Sequence, residues 1–143
     1  MKVIPLKLLC HIRHGGTPSK ANPHYWCGSI PWVSPKDMKA STLEDATDHI
    51  TEDAVANSAT SIVPEGSILV VVRSGILVHS IPVSQVKRPL AFNQDIKAII
   101  PNSDLVDPDY LYSLLAFMLP GIDEEQVRDA MAIEVRLSLI HEF

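Results

Sequence analysis

The densest group of metal-ligating side chains in this 143-residue chain is Cys10, His11 and His14, followed across a glycine-rich turn by His24 and Cys27. Thiolate and neutral imidazole are ligands that zinc takes, and two such groups flanking a turn have the outline of a small zinc loop. Two features oppose that reading. Cys10 and His11 are adjacent, so on a strand they point to opposite faces, and the chain has no C-x-x-C pair. Ser74, with His79 five residues on, has the residue types of nucleophilic catalysis. No G-x-S-x-G elbow frames it, and a serine beside Arg73 reads as polar lining. Gly15-Gly16-Thr17 lacks the Lys-Ser/Thr pair of a phosphate-binding loop and reads as a turn. No two carboxylates fall where a strand pattern would converge them for acid–base work.

A further polar set points to another chemistry. Thr17, Ser19, Lys20, Trp26, Ser34, Lys36, Lys39, Arg73, Ser74, Asn93 and Gln94 all fall at expected turns or strand ends. Lysine, arginine and hydroxyl groups suit phosphate oxygens, and Arg, Asn and Gln can make two-point contacts to guanine or adenine edges. Ordinary turns carry the same residue types, and Asn93 reads equally well as a turn cap. On type alone, Trp26 and Trp32 read as core or ledge aromatics.

The elements that must position these residues are readable in outline. Leu6, Leu8, Cys10 and Ile12 alternate with their neighbours at the period of a half-buried strand, which Gly15–Ser19 ends. Ile30–Val33 is extended, and Pro31 argues for an edge strand. Ser34-Pro35-Lys36-Asp37 reads as a cap, a helix-starting proline and a carboxylate reaching back. Thr51 caps a short helix running to about Asn57. Pro64-Glu65-Gly66 turns into a buried strand Ser67–Val72, and Gly75 breaks before a strand Ile76–Val83. Asp95–Ile100 is a strand stopped by Pro101. Asp107-Pro108 opens a helix with Leu111, Leu114, Leu115 and Met118 on one face, ended by Pro120-Gly121. A last helix, capped at Asp123, carries Val127, Met131, Val135 and Leu139 in one row. Strands and short helices first and two helices last predict an α+β fold, β-rich with a twisted sheet.

Composition narrows the class. Hydrophobic residues make up 46% and charged residues 20%, ordinary globular usage for a single domain. The longest apolar runs, Ile68–Val72 and Leu114–Leu119, are far short of the ~20 residues of a membrane span. Pro5 interrupts any secretory apolar region, and two cysteines cannot build a disulfide scaffold, so a cytoplasmic protein is expected. Residues 1–100 carry a net charge of +2 and residues 101–143 a net charge of −7. That asymmetry permits a nucleic-acid partner on the first part without demanding one.

Several blocks in order form a pattern: Gly15-Gly16-Thr17-Pro18-Ser19; Tyr25-Trp26-Cys27-Gly28-Ser29-Ile30-Pro31-Trp32-Val33-Ser34-Pro35-Lys36-Asp37-Met38; Ile50-Thr51-Glu52; Ser58-Ala59; Val63-Pro64-Glu65-Gly66-Ser67; Val72-Arg73-Ser74-Gly75-Ile76; and Phe92-Asn93-Gln94-Asp95-Ile96-Lys97. The chain resembles the target recognition domain of the DNA specificity subunit of type I restriction–modification enzymes. The resemblance implies a recognition domain over residues 6–117 and a divergent helical segment over residues 118–143. It implies a non-catalytic protein without cofactor or metal, which reads double-stranded DNA and holds methyltransferase and nuclease–translocase subunits. It places the recognition face on the loops around Gly15–Lys20, Trp26–Lys39, Arg73–Gly75 and Asn93–Gln94. On residue type we assign Lys20, Lys36 and Lys39 to phosphate and Arg73 and Gln94 nearer the bases, with a structural pairing of Arg73 with Asp95 as the alternative. Cys27 stands where the family usually has glycine. A protein-interaction remnant and a small zinc protein remain as alternatives. A full subunit of that family carries two recognition domains, so one domain alone would work economically as a twofold pair, with the Val127–Leu139 row as its candidate interface; the same row equally suits a helix docking on its own domain.

Overall fold

A computed structural model describes residues 2–73, 81–119 and 134–137 of the chain. Its α+β class is the one expected, with three sheets and two α-helices among the described residues. The chain opens with strand β1 (Lys2–Pro5), and Leu6–Leu8 then makes one 3-10 turn, closed by the Leu9 N–H on Leu6 O at 2.9 Å. Here the expected alternation from Leu6 is corrected. Leu6 is wholly buried and Leu8 is 60% exposed, because the turn projects Leu6 and Leu9 to the same interior side. Strand β2 therefore begins only at Cys10 and runs to His14.

The large sheet is built from β2, β4 (Thr42–Leu43), β6 (Ile68–Val71), β7 (Val83–Val86) and β9 (Ile96–Pro101), in the order β2-β9-β6-β7-β4. Its pairings are antiparallel except β4 with β7. Every side chain of β6 is buried, because the two faces of the strand feed different cores. Ile68 and Val70 join Leu111, Leu115 and Leu119 of the α2 region, while Leu69 and Val71 join Val33, Val63, Leu90 and Phe92. A strand covered on both sides reads as a continuous apolar run, as Ile68–Val72 does. Ile76–Val83 was expected as the next strand. Residues 74–80 lie outside the described residues, and β7 starts at Val83 and continues to Val86, with Ser84 and Gln85 buried.

A small sheet joins β5 (Asp48–Ile50), β3 (Ile30–Val33) and β8 (Ala91–Phe92) in the order β5-β3-β8. This corrects the edge position expected for β3. Pro31 is tolerated in the middle strand because β8 meets β3 only from Trp32 onward, so the missing N–H is not needed on that side.

Helix α1 (Glu52–Ala56) starts as expected at Thr51, whose Oγ1 accepts from Ala54 N at 3.2 Å. Helix α2 (Pro108–Met118) starts at Asp107, whose Oδ1 accepts from Asp109 N at 2.8 Å. Leu111 and Leu115 are its fully buried residues. The last expected helix is corrected where the structure describes it. Residues 134–137 form strand β10 (Glu134–Leu137), antiparallel to β1 with Ile4 opposite Val135. The rest of that expected helix, with Val127, Met131 and Leu139, lies outside the described residues. No described helix is long and apolar enough to cross a membrane.

Candidate nucleic-acid interface

The turn after β2 is pinned to the body of the domain by its backbone. Gly16 N donates to Phe92 O at 3.1 Å, and the buried Trp32 indole donates from Nε1 to Gly16 O at 3.0 Å. Gly15 passes so close to the Asn93 backbone that a Cβ would run into its carbonyl oxygen. Only glycine permits that approach. The turn thus lies against the Asn93–Gln94 turn between β8 and β9, and Thr17 Oγ1 donates to Gln94 Oε1 at 2.6 Å.

Lys20 and Trp26 complete this first loop. The Trp26 indole donates to Ser19 O at 3.1 Å and meets Trp32 edge to face, centroids 5.0 Å apart. The Lys20 ammonium sits 4.4 Å from the Trp26 ring centroid and 5.4 Å from that of Trp32. Two ring faces attract the cation and restrict a side chain that would otherwise sweep freely. Trp32 is core, with only 4% of its surface exposed, whereas Trp26 is half-buried and forms the ledge.

Arg73 approaches the same place from the end of β6. Its Nη2 donates to Gln94 O at 3.0 Å, and its Nε lies 3.6 Å from Asp95 Oδ1. The side chain is still 56% exposed. One edge of the guanidinium holds the turn while the remainder faces solvent. Asn93 is buried and its Oδ1 accepts from Asp95 N at 3.0 Å, the turn-capping role open to it from sequence.

A second group forms around the 3-10 turn Pro35–Asp37. The Asp37 carboxylate accepts from Ser34 N at 3.0 Å on one oxygen, and from Thr47 N at 3.0 Å and Thr47 Oγ1 at 2.8 Å on the other. Burial opposes its ionisation, but these hydrogen bonds and the nearby Lys36 charge outweigh burial and hold the carboxyl below its ordinary value. Lys36 pairs with Asp48 at 3.2 Å, both exposed enough for solvent to compete. Lys39 is exposed, with no hydrogen bond or ion pair among the described residues.

The structure thus joins Thr17, Arg73, Asn93 and Gln94 in one cluster, with Ser19, Lys20 and Trp26 on the same loop. Ser34 and Lys36 share the Asp37 clamp, and Ser74 lies outside the described residues. Sequence reading missed Thr47 and Asp48, which are adjacent in the chain but meet Asp37 and Lys36 only through folding; no local signal marks them.

The zinc arrangement is not assembled. Among the described residues no three His, Cys, Asp or Glu side chains come together as ligands. Cys10 is buried with its thiol on Leu6 O at 3.1 Å, and burial pushes its pKa up to about 12, the opposite of a metal-binding thiolate. Cys27 is exposed and its thiol donates to His24 O at 3.2 Å.

The model of the type I restriction modification DNA specificity domain matches residues 1–133. The chain belongs to this family. It is 45% identical over 102 residues to the EcoR124I/EcoR124II type I restriction enzyme specificity subunit of Escherichia coli, covering 71% of this chain and 25% of that protein. It is 36% identical over 112 residues to the MjaIX type I specificity subunit of Methanocaldococcus jannaschii, covering 76% of this chain and 25% of that protein. The chain therefore spans about a quarter of the length of the curated specificity subunits it matches. The fold is similar to that of the HsdS subunit from Thermoanaerobacter tengcongensis, with TM-score 0.65, 16% identity, and coverage of 94% of this chain and 32% of that one. The type I S subunit from M. genitalium gives a TM-score of 0.64 at 15% identity, covering 94% of this chain and 33% of that one.

Proposed function

We propose that this chain is a DNA-reading module of a type I specificity subunit, non-catalytic itself, that directs methyltransferase and restriction subunits to a target sequence. The observation that carries this reading is the cluster Thr17, Arg73, Asn93 and Gln94 beside the Lys20–Trp26 ledge, in a chain that belongs to the specificity-domain family. Separate stretches of sequence contribute those donors and acceptors to one surface. The partly exposed guanidinium of Arg73 and the amide of Gln94 suit base edges, while Lys20, Lys36, Lys39, Ser19 and Ser34 suit phosphate. The recognition domain is read over residues 6–117 and a divergent C-terminal segment over residues 118–143, of which Leu119 packs into the domain core and Glu134–Leu137 pairs with β1.

Two copies would supply both halves of a bipartite target. A twofold pair would not use the expected helical row in full, since Val135 lies in β10. Sedimentation at micromolar concentration gives the oligomeric state.

Selection from a random duplex pool, with the chain alone and with its methyltransferase subunit, tests the function. An enriched sequence whose preference at one position is relaxed by Arg73→Ala, by ~1–3 kcal/mol of discrimination, supports the reading. No enrichment in either arrangement, with the methyltransferase subunit still bound, leaves a protein-interaction module instead.

A further inference from the structure

A groove of about 420 Å³ runs along β2, lined by Lys7, Cys10, His11, Ile12, His14 and Lys97. None of the recognition residues above belongs to it. We propose that this groove seats the sugar–phosphate backbone of duplex DNA flanking the bases that the loops read, an inference that rests on the DNA-binding reading of those loops.

Position is the first argument. β2 is the edge strand of the large sheet, and His14 stands opposite Lys97 in the β2–β9 register. His14 immediately precedes the Gly15 turn, and Lys97 lies three residues after Gln94. One end of the groove therefore lies on the strands that lead directly into the recognition turns. Electrostatics is the second. Two lysines and two histidines line it, and none of the described lining residues is a carboxylate. Cys10, with its thiol pushed up to about 12, adds no negative charge at neutral pH. The Lys7, His11 and His14 side chains make no hydrogen bond or ion pair among the described residues, so their donors are available. Size is the third. The four steps from Cys10 to His14 cover ~13 Å of strand, and one DNA strand places a phosphate every ~3.4 Å of helix axis. Because the sugar–phosphate strand winds around that axis, its phosphates lie farther apart than the rise, and about two or three of them fit that length. The apolar floor at Ile12 is short, which disfavours a hydrophobic peptide as occupant.

The test measures binding of the full chain to a random-sequence duplex of ~24 base pairs across a salt series, comparing the unaltered protein with Lys7→Ala/His14→Ala. The expected result is several-fold weaker binding and a salt slope reduced by ~0.9 for each phosphate no longer neutralised, with unchanged melting temperature. Arg88→Ala, on the exposed turn beyond β7, should leave the slope unchanged. An unchanged slope in the double variant overturns the proposal, as does an equal fall for Arg88→Ala, which would make the effect one of net charge. Loss of methyltransferase assembly with an unaltered slope also overturns it and makes the groove a protein interface. If the unaltered protein binds no duplex, alone or with the methyltransferase subunit, the reading of the loops fails and the groove proposal falls with it. A slope unchanged only in the double variant removes the groove alone.

Discussion

In the large sheet, β6 is apolar and buried on both faces, and cohesion comes from side chains such as Ile68, Leu69, Val70 and Val71. The small sheet is different. Among the described residues its own buried cluster is Trp32, Ile50, Ala54 and Ala91, and the loops it carries are tied down by single polar bonds, tight glycine approaches and an edge-to-face ring pair. Burial is non-directional and tolerates some repacking, whereas hydrogen bonds fix angles. The first region supplies stability and the second supplies geometry. That separation lets exposed loop side chains change at little cost to the core.

Variants that break this division have graded effects. Leu69→Ala, in the large sheet, should cost ~2–5 kcal/mol of unfolding free energy in a denaturant titration. Such a loss leaves little native population to bind DNA. Gly15→Ala, in the loop region, should cost ~1–3 kcal/mol through overpacking against Asn93, and should weaken DNA binding more than its stability loss accounts for. If binding and stability fall in proportion, the loop has no geometric role of its own.

Asp37→Asn should cost ~1–2 kcal/mol, since a neutral amide replaces a carboxylate that accepts three strong bonds. The carboxyl lies below its ordinary value in the folded protein, so its contribution is present at neutral pH and is lost as pH falls through and below the ordinary carboxylate range near 3.8. The difference in melting temperature between Asp37→Asn and the unaltered protein should therefore shrink on acidification. A gap independent of pH would contradict the charged clamp.

The smallest stability effects belong to Lys36→Ala and Lys39→Ala, expected within ~0.5 kcal/mol of the unaltered protein. The salt slope of duplex binding should nevertheless fall by ~0.9 for every phosphate these lysines neutralise. The contrast with Leu69→Ala, which moves stability and leaves the slope of the surviving folded fraction alone, would sharpen the distinction between the two regions.

Local signals were sufficient where one residue's chemistry decides a conformation. Thr51 and Asp107 start their helices through bonds to amides two or three residues on, and Asp37 reaches back to Ser34, so short-range spacing predicts all three. The apolar run Ile68–Val72 announced a buried strand, and the ordered blocks from Gly15 to Lys97 identified the family. Tertiary structure decided whatever depends on a distant partner. Whether Leu6–Leu8 alternates or turns depends on which side becomes interior, and Pro31 sits in a middle strand only because β8 begins one residue later. Glu134–Leu137 is a strand because β1, at the other end of the sequence, offers a pairing edge that no helical periodicity reveals. The contacts of Thr17 and Arg73 with Gln94, and the placing of the β2 groove on strands that lead into those turns, are likewise products of register between strands far apart in sequence. Residue types named the chemistry available to this chain, but only long-range pairing placed those groups on one surface.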